Sequence, residues 1–405
     1  MGSARRPLDR VRFVQKLTTT VHRFEEPLVL KPTLTSSDSC LRPTRAEIDL
    51  EVIASNLEAL RAGLGGARVL AVVKADAYGH GVVPVSRRLQ AQGVDGFGVA
   101  LAEEGFELRE AGIQVPILVL NGVHGGAHRA IIAKRLTPVV YELDEARAFD
   151  AVADEPVRVH LKIDTGMGRL GVPMRELGAF LDALRALPRV HIAGVMTHLA
   201  EAEGDEAITR AQLARFGDAV ATIRAAGHRP DALHASNSAG ATRFPEARMD
   251  WVRLGIVLYG HSPVPGLEIP VRESMRLRTE IISLRTREPG ERVGYSGTFV
   301  TEAPTRVATL AIDYGDGLSR GLSNRGRVLV RGARCPIIGN VSMDLTGIDV
   351  TNVADARVGD EAVLLGAQGG DAITIAEVAE AAKILPYEVL TNVSRRVPRF
   401  YVPRG

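Results

Sequence analysis

From about Thr44 onward, short runs rich in Val, Ile, Leu and Ala, bounded by Gly, Asn or Asp, alternate with amphipathic stretches of helical length. That alternation confines a chain to βα units around a parallel sheet. The spacing predicts strands at 69–74, 97–100, 116–120, 137–141, 157–164, 190–198, 232–236 and 252–258. Helices are predicted at 82–91, 101–111, 144–152, 177–187 and 206–226, where apolar residues recur every three or four positions. Eight such units fit a (β/α)8 barrel better than an open doubly wound sheet, and no GxGxxG follows the first strand. After about Met275 the pattern changes. Residues 276–285, 291–300, 305–312, 327–330, 335–338 and 361–365 read as strands, with one helical patch at 374–382. The expected fold class is α/β, a (β/α)8 TIM-type barrel followed by a mostly β C-terminal domain. Its expected boundaries are an extension at 1–43, a barrel at 44–272 and a β-rich domain at 273–405, with Pro263, Pro265 and Pro270 marking the link.

Composition narrows the functional classes. The 405 residues exceed one ordinary core, and 45% hydrophobic with 24% charged residues exclude disorder as the main state. Lys and Arg total 50 against 48 Asp and Glu, so no lopsided field draws the chain to nucleic acid or acidic lipid. No stretch is apolar for the ~20 residues that a membrane span needs, and no secretory h-region is evident, so a cytoplasmic location is expected. Cys40 and Cys335 permit one bridge at most and lack metal-ligand spacing. No metal site is expected.

In (β/α)8 enzymes the chemistry lies at the C-terminal ends of the strands. That rule selects Lys74 and Tyr78, Arg169, His198, Asn237 and Ser238, and Arg253 with Gly255 and Ile256. Lys74 ends the apolar run Leu70, Ala71, Val72, Val73, where an ammonium is costly to desolvate unless its charge is paired or given up. Such a lysine can serve as a nucleophilic amine or a Schiff base, or it can simply snorkel to solvent. Asn237, Ser238 and Gly255 supply small residues with free donors after strands seven and eight, a common barrel phosphate site. A phosphate site and a buried lysine together point to pyridoxal phosphate.

The run AVVKADAYGHG (71–81) resembles the pyridoxal-phosphate signature of the alanine racemases. The resemblance continues through KIDTGMGRLG (162–171), MTH (196–198), ASNSA (235–239), VRLGIVLYG (252–260), VGYSGTF (293–299), DYGDG (313–317), VSMD (341–344) and PYEVL (386–390). It covers about residues 44–401 and implies the fold-type III barrel of that family. It implies Lys74 as the Schiff-base lysine and Tyr78, Ser238, Gly255, Ile256 and Tyr387 as phosphate contacts. His198 would lie against the pyridine ring, Asn237 would assist nearby, and Arg253 would meet the ring nitrogen. A guanidinium only donates, so that nitrogen would stay largely unprotonated and the electron sink weak, which favours return of a proton to Cα. The resemblance further implies Tyr295 as a second base that reaches the barrel from another subunit, hence a homodimer with shared sites. Arg169, Met343, Asp344 and Tyr314 would be substrate-binding, and Lys162 a site of carbamylation. The implied activity is interconversion of L- and D-alanine, with D-alanine supplied for peptidoglycan.

Each residue also has a plainer reading. Tyr295 between Gly294 and Ser296 is a hairpin-tip aromatic, His198 a strand-end histidine, Asn237 and Ser238 a helix N-cap, Arg169 a solvent-facing cation, and Tyr314, Tyr387 and Met343 core residues. In the outer corridor Glu203 and Arg320 stand at plausible family positions, whereas Asn340 precedes VSMD where the family commonly has arginine. That departure leaves open a broader-specificity racemase acting on serine or larger amino acids. A non-catalytic pyridoxal-phosphate barrel would usually lack the β domain and its tyrosine. A basic amino-acid decarboxylase would place a carboxylate where Arg253 stands.

Overall fold

The computed structural model describes residues 41–402; the expectations for the rest of the 1–43 extension and for Cys40 lie outside the described residues. The first strand, β1 (Arg45–Ile48), was not anticipated from the sequence, and it does not enter the barrel. Helix α1 (Leu50–Ala62) follows, capped by Asp49, whose carboxylate accepts from the Glu51 and Val52 amides at 3.0 Å. A cap of this kind contributes about 1 kcal/mol. Val52, Ile53, Leu57 and Leu60, at helical spacing, form its buried face.

Barrel strands follow as β2 (Arg68–Val72), β3 (Gly96–Val99), β4 (Ile117–Val119), β5 (Thr137–Val140), β6 (Val157–Asp164), a two-residue β7 (Val172–Pro173) beside β6, β8 (Val190–Met196), β9 (Ala232–His234) and β10 (Trp251–Leu254). Every pairing among them is parallel, in the order β10-β2-β3-β4-β5-β6-β8-β9. The seam between β9 and β10 carries separate bonds, Asp250 N–H to Leu233 O at 3.1 Å and Arg253 N–H to Ser236 O at 3.3 Å. An eight-stranded parallel barrel, nearly closed, is the result. All eight barrel strands lie where the sequence periodicity predicts them, because strands buried on both faces read as continuous apolar runs. Between them lie α2 (Lys74–Gly79), α3 (Val82–Ala91), α4 (Ala102–Glu110), α5 (His128–Ala133), α6 (Leu143–Val152), α7 (Leu177–Leu184), α8 (Glu206–Ala225) and α9 (Ser238–Arg243).

The remaining strands are β11 (Met275–Arg287), β12 (Arg292–Val293), β13 (Phe299–Val300), β14 (Thr305–Leu310), β15 (Arg327–Val330), β16 (Ala333–Pro336), β17 (Thr346–Asp349), β18 (Glu361–Gln368), β19 (Asp371–Ile373) and β20 (Arg399–Tyr401). All but β12 and β13, which pair only with each other, join β1 in a mostly antiparallel sheet in the order β16-β15-β18-β11-β1-β20, with β14 bridging β11 and β17 and β19 beside β18. Thus β1 lies between β11 and β20, and the chain contributes to the second sheet before it builds the barrel. One buried apolar cluster runs from Ala46 through the barrel to Val397, so the two parts share a core.

Two expectations for this half are corrected. Residues 291–300 are not one strand: Gly294 (φ 71°) and Ser296 (φ 61°) break it into β12, a 3-10 turn at Tyr295–Gly297, and β13. A second helix, α11 (Pro386–Thr391), joins the anticipated α10 (Ile375–Ala382). Pro386 suits the first turn of this helix, and Glu388 accepts from the Leu385 amide at 3.1 Å to start it.

Candidate active site

Lys74 stands where β2 gives way to a backbone that L-residues rarely adopt. Ala75, Asp76, Ala77 and Tyr78 all carry φ between 52° and 55°, a left-handed turn costing about 1–2 kcal/mol per residue. Tertiary bonds offset that cost. The Ala75 amide donates to Glu104 Oε1 at 2.7 Å, Ala77 N–H to Val73 O at 2.9 Å, Val82 N–H to Asp76 Oδ1 at 2.7 Å, and Arg399 Nε to Gly79 O at 3.0 Å. The turn is also pressed against the C-terminal segment: a Cβ on Gly81 would lie 1.9 Å from the Tyr401 hydroxyl. The Lys74 amine is thereby held at the barrel mouth. Burial, reinforced by the Arg169 charge and opposed by Glu104, moves it below the usual lysine range.

Beside it lies a cradle of hydroxyls. The Tyr78 side chain is 6% exposed and packs on Tyr259, ring centroids 4.9 Å apart, while the Tyr259 hydroxyl donates to Val72 O at 3.0 Å. A Cβ on Gly255 would lie 2.5 Å from the Tyr78 hydroxyl and 3.8 Å from Ser238 Oγ, so glycine keeps this space open. The Gly255 amide donates to Ser238 Oγ at 2.9 Å, and Ile256 opens a 3-10 turn at Ile256–Tyr259 whose first amides precede any helical acceptor. Asn237 caps α9, its Oδ1 accepting from the Gly240 amide at 2.9 Å. Tyr387, on α11, sits 6.2 Å from the Tyr78 ring and donates to Glu203 Oε1 at 3.3 Å. Burial drives both tyrosine hydroxyls well above the usual range, so each remains a donor.

Arg253, on β10, is 3% exposed. Its Nη2 donates to Thr197 O at 2.8 Å, Ala235 O at 2.9 Å and His198 Nδ1 at 3.2 Å; Nη1 donates to His234 O and His234 Nδ1, both at 3.1 Å. All five bonds use the terminal nitrogens, which leaves Nε for a ligand. A guanidinium cannot accept, so His198 and His234 must each present a bare Nδ1 and carry the proton on Nε2. His234 Nε2 then donates to His160 Nδ1 at 2.8 Å. A donor chain therefore runs from Arg253 into the barrel interior. Burial first, then the Arg253 charge, pushes His198 well below the usual histidine range. Burial together with Arg158 and Arg253 brings His160 down to about 4.

This depressed His160 sets a pH dependence. The folded state keeps the ring neutral, whereas the unfolded ring takes a proton below about 6.5. Stability from this group is complete above pH 6.5 and declines as pH falls toward 4, by about 2 kcal/mol at pH 5. His160→Gln, whose amide oxygen can still accept from His234, should flatten that decline in thermal midpoints measured between pH 7 and 5. Equal declines in both proteins would contradict it.

Lys162, on β6 and 5% exposed, adds another cation; burial, then Arg253 and Arg169, pushes its amine down to about 8. Arg169 is exposed on the loop between β6 and β7, a loop shaped by Asp164 Oδ1 accepting from the Gly166, Met167 and Gly168 amides. Lys74, Lys162, Arg169 and Arg253 all bring their charge to bear on His198.

The other anticipated residues lie in turns and loops of the C-terminal half. Tyr295 is 75% exposed, Met343 56% and Tyr314 41%, and Asp344 accepts from Arg396 at 2.9 Å. Among the described residues, no hydrogen bond or ring contact within this chain joins Tyr295 to Lys74 or Arg253. Arg320 opens the 3-10 turn Arg320–Leu322, and Asn340 donates from Nδ2 to Tyr295 O at 2.9 Å. Sequence reasoning missed Glu104, His160 and His234. Glu104 had a signal, an acidic residue at the third position of α4. His160 had another, since alternation places it on the same face of β6 as Lys162.

Family models of the alanine racemase N-terminal and C-terminal domains match residues 48–263 and 274–401. The chain is 46% identical over 376 residues to the alanine racemase of Sorangium cellulosum, covering 89% of this chain and 99% of the relative. A crystal structure of the Bacillus anthracis alanine racemase with bound L-Ala-P superposes with a TM-score of 0.85 at 31% identity, covering 90% of this chain and 96% of that one. The Bartonella henselae enzyme, solved with covalently bound pyridoxal phosphate, gives 0.81 at 28% identity, covering 89% and 99%. Fold, two-domain match and near full-length identity agree: the chain belongs to the alanine racemase family and is an isomerase.

Proposed function

We propose that this chain racemises alanine with pyridoxal phosphate, using Lys74 and the Tyr295 of a second copy as its two bases. The residues present fit that cofactor. Tyr78, Ser238, Gly255, Ile256 and Tyr387 would hold its phosphate, Arg253 its ring nitrogen, His198 its ring, with Asn237 bracing Ser238 through the α9 cap. When bound, pyridoxal phosphate supplies an aldehyde for condensation with an amine and an electron-withdrawing ring that acidifies Cα–H. The observation that carries the reading is the Lys74 amine, depressed by burial, on the same rim as a cradle that a Cβ on Gly255 would fill.

Lys74 would take or return the proton on the face of Cα that D-alanine presents. One group cannot readily serve both faces, so a second base is required. Tyr295 is the candidate for the L face, and its exposure on its own chain supports donation to another copy in a homodimer. Arg169, Tyr314, Met343 and Asp344 would then confine a small amino acid between the two copies. Arg253, donor-only, would hold the ring nitrogen as a bare acceptor, and a ring so held would delocalise less charge and favour proton return at Cα. We place the reaction in the cytoplasm, as a source of D-alanine for peptidoglycan.

Lys162 fits a further modification of the same site. With its amine near 8, a fraction is neutral and can form an N–C bond to carbon dioxide with release of a proton, converting a cation into an anion between Arg169 and Arg253. Labelled bicarbonate should give a carbamate carbon resonance that Lys162→Ala removes. A spectrum without that resonance would refute carbamylation.

Purified protein with pyridoxal phosphate and L-alanine in deuterium oxide tests the whole reading, by optical activity and Cα deuteration. Absence of both D-isomer and exchange would dismiss it.

A further inference from the structure

Tyr295 occupies a weak element. β12 and β13 are two residues each, the tip between them carries three positive-φ residues, Gly294, Ser296 and Gly297, and the Tyr295 side chain is mostly exposed. Ribbons this short are not stable alone. Three contacts hold the tip from its edges: Gly297 N–H to Gly294 O at 3.1 Å, Arg292 Nη1 to Gly297 O at 3.2 Å, and Asn324 Nδ2 to Thr298 Oγ1 at 3.0 Å. Asn340 alone among these contacts reaches Tyr295 itself, through Nδ2–H to the carbonyl at 2.9 Å. It also begins the segment that carries Met343 and Asp344, a segment fixed in turn by Gly339 N–H to Asn324 Oδ1 at 2.6 Å and Val341 N–H to Ser323 Oγ at 3.0 Å.

We propose that Asn340 is a positioning residue that fixes the Tyr295 backbone, and through it the phenol, relative to the 341–344 segment. This rests on the two-base reading above. A base must be held within about 0.5 Å of its working place, and a displacement of about 1 Å can cost a hundredfold in rate. Asn340→Asp keeps the shape but replaces the donor with an acceptor that faces the Tyr295 carbonyl. The Asn340 amide is neutral and meets only the Tyr295 backbone carbonyl, so the device is geometric.

The test uses the full-length holoenzyme and its Asn340→Asp variant, with D-alanine in deuterium oxide. Inversion should fall about tenfold or more while Cα exchange of D-alanine without inversion, the Lys74 reaction, stays within about twofold. Hydrogen exchange of the Gly294–Thr298 amides should accelerate, and cofactor absorbance should not change. An unchanged ratio of exchange to inversion, whether both rates hold or both fall together, overturns the proposal. The two-base reading has its own control in Tyr295→Ala: if that protein keeps full inversion, the reading fails irrespective of Asn340.

Discussion

Lys74→Ala should yield a folded protein without a Schiff-base absorbance band and without measurable racemisation. The loss combines two effects: no amine remains to anchor the cofactor, and one face of Cα has no base, a contribution of about 10² to 10⁴ in rate by itself. Folding should survive because burial and the repulsion of Arg169 and Lys162 outweigh the pull of Glu104 on Lys74, so removing the amine takes away a charge the fold disfavours. The left-handed turn that follows is held by backbone amides and by Glu104, Asp76 and Arg399, none of which needs the lysine ammonium. Absorbance after gel filtration and thermal unfolding decide the matter together. A persistent band would assign the amine elsewhere, and Lys162, buried with an amine near 8, would be its owner.

The barrel was legible because parallel strands buried on both faces leave continuous apolar runs, and helices such as α3 (Val82–Ala91) begin and end within a residue of the periodic pattern. Lys74 was legible by the same logic, as a charge ending such a run. What escaped depends on contacts distant in sequence. The residues Ala75, Asp76, Ala77 and Tyr78 carry no mark of a left-handed turn; Glu104 holds its start, and Leu390, Arg399 and Tyr401, some 300 positions away, close on its end at Gly79 and Gly81. β1 is only Arg-Ala-Glu-Ile, too short for periodicity, and its place is settled by pairing with β11 and β20. The Arg253–His234–His160 chain draws on three strands, so no local window contains it. Tyr295 is the opposite case. Its local pattern reads as a loop tip, its exposure agrees with a loop tip, and only the resemblance of VGYSGTF to the family gives it a chemical role.

Tyr295→Ala should keep the cofactor band and lose racemisation by about a thousandfold, since the Lys74 rim is untouched while one of two bases is gone. D-Alanine should still exchange its Cα proton, through Lys74, without inverting. The deeper test is complementation. If each site combines the barrel of one copy with the hairpin of another, a Lys74→Ala chain and a Tyr295→Ala chain, each inactive, assemble into a mixed dimer with one site built entirely from intact parts. The other site then carries both lesions. Random mixing makes half of all dimers mixed, and one working site of two in each gives about a quarter of the parent activity at full exchange. Sites contained within single chains predict no recovery at any ratio, because every chain would carry its own lesion. Activity measured against mixing ratio, after dissociation and reassembly verified by mass, separates these outcomes; a flat line at zero would return Tyr295 to its plainer role as the aromatic tip of a hairpin.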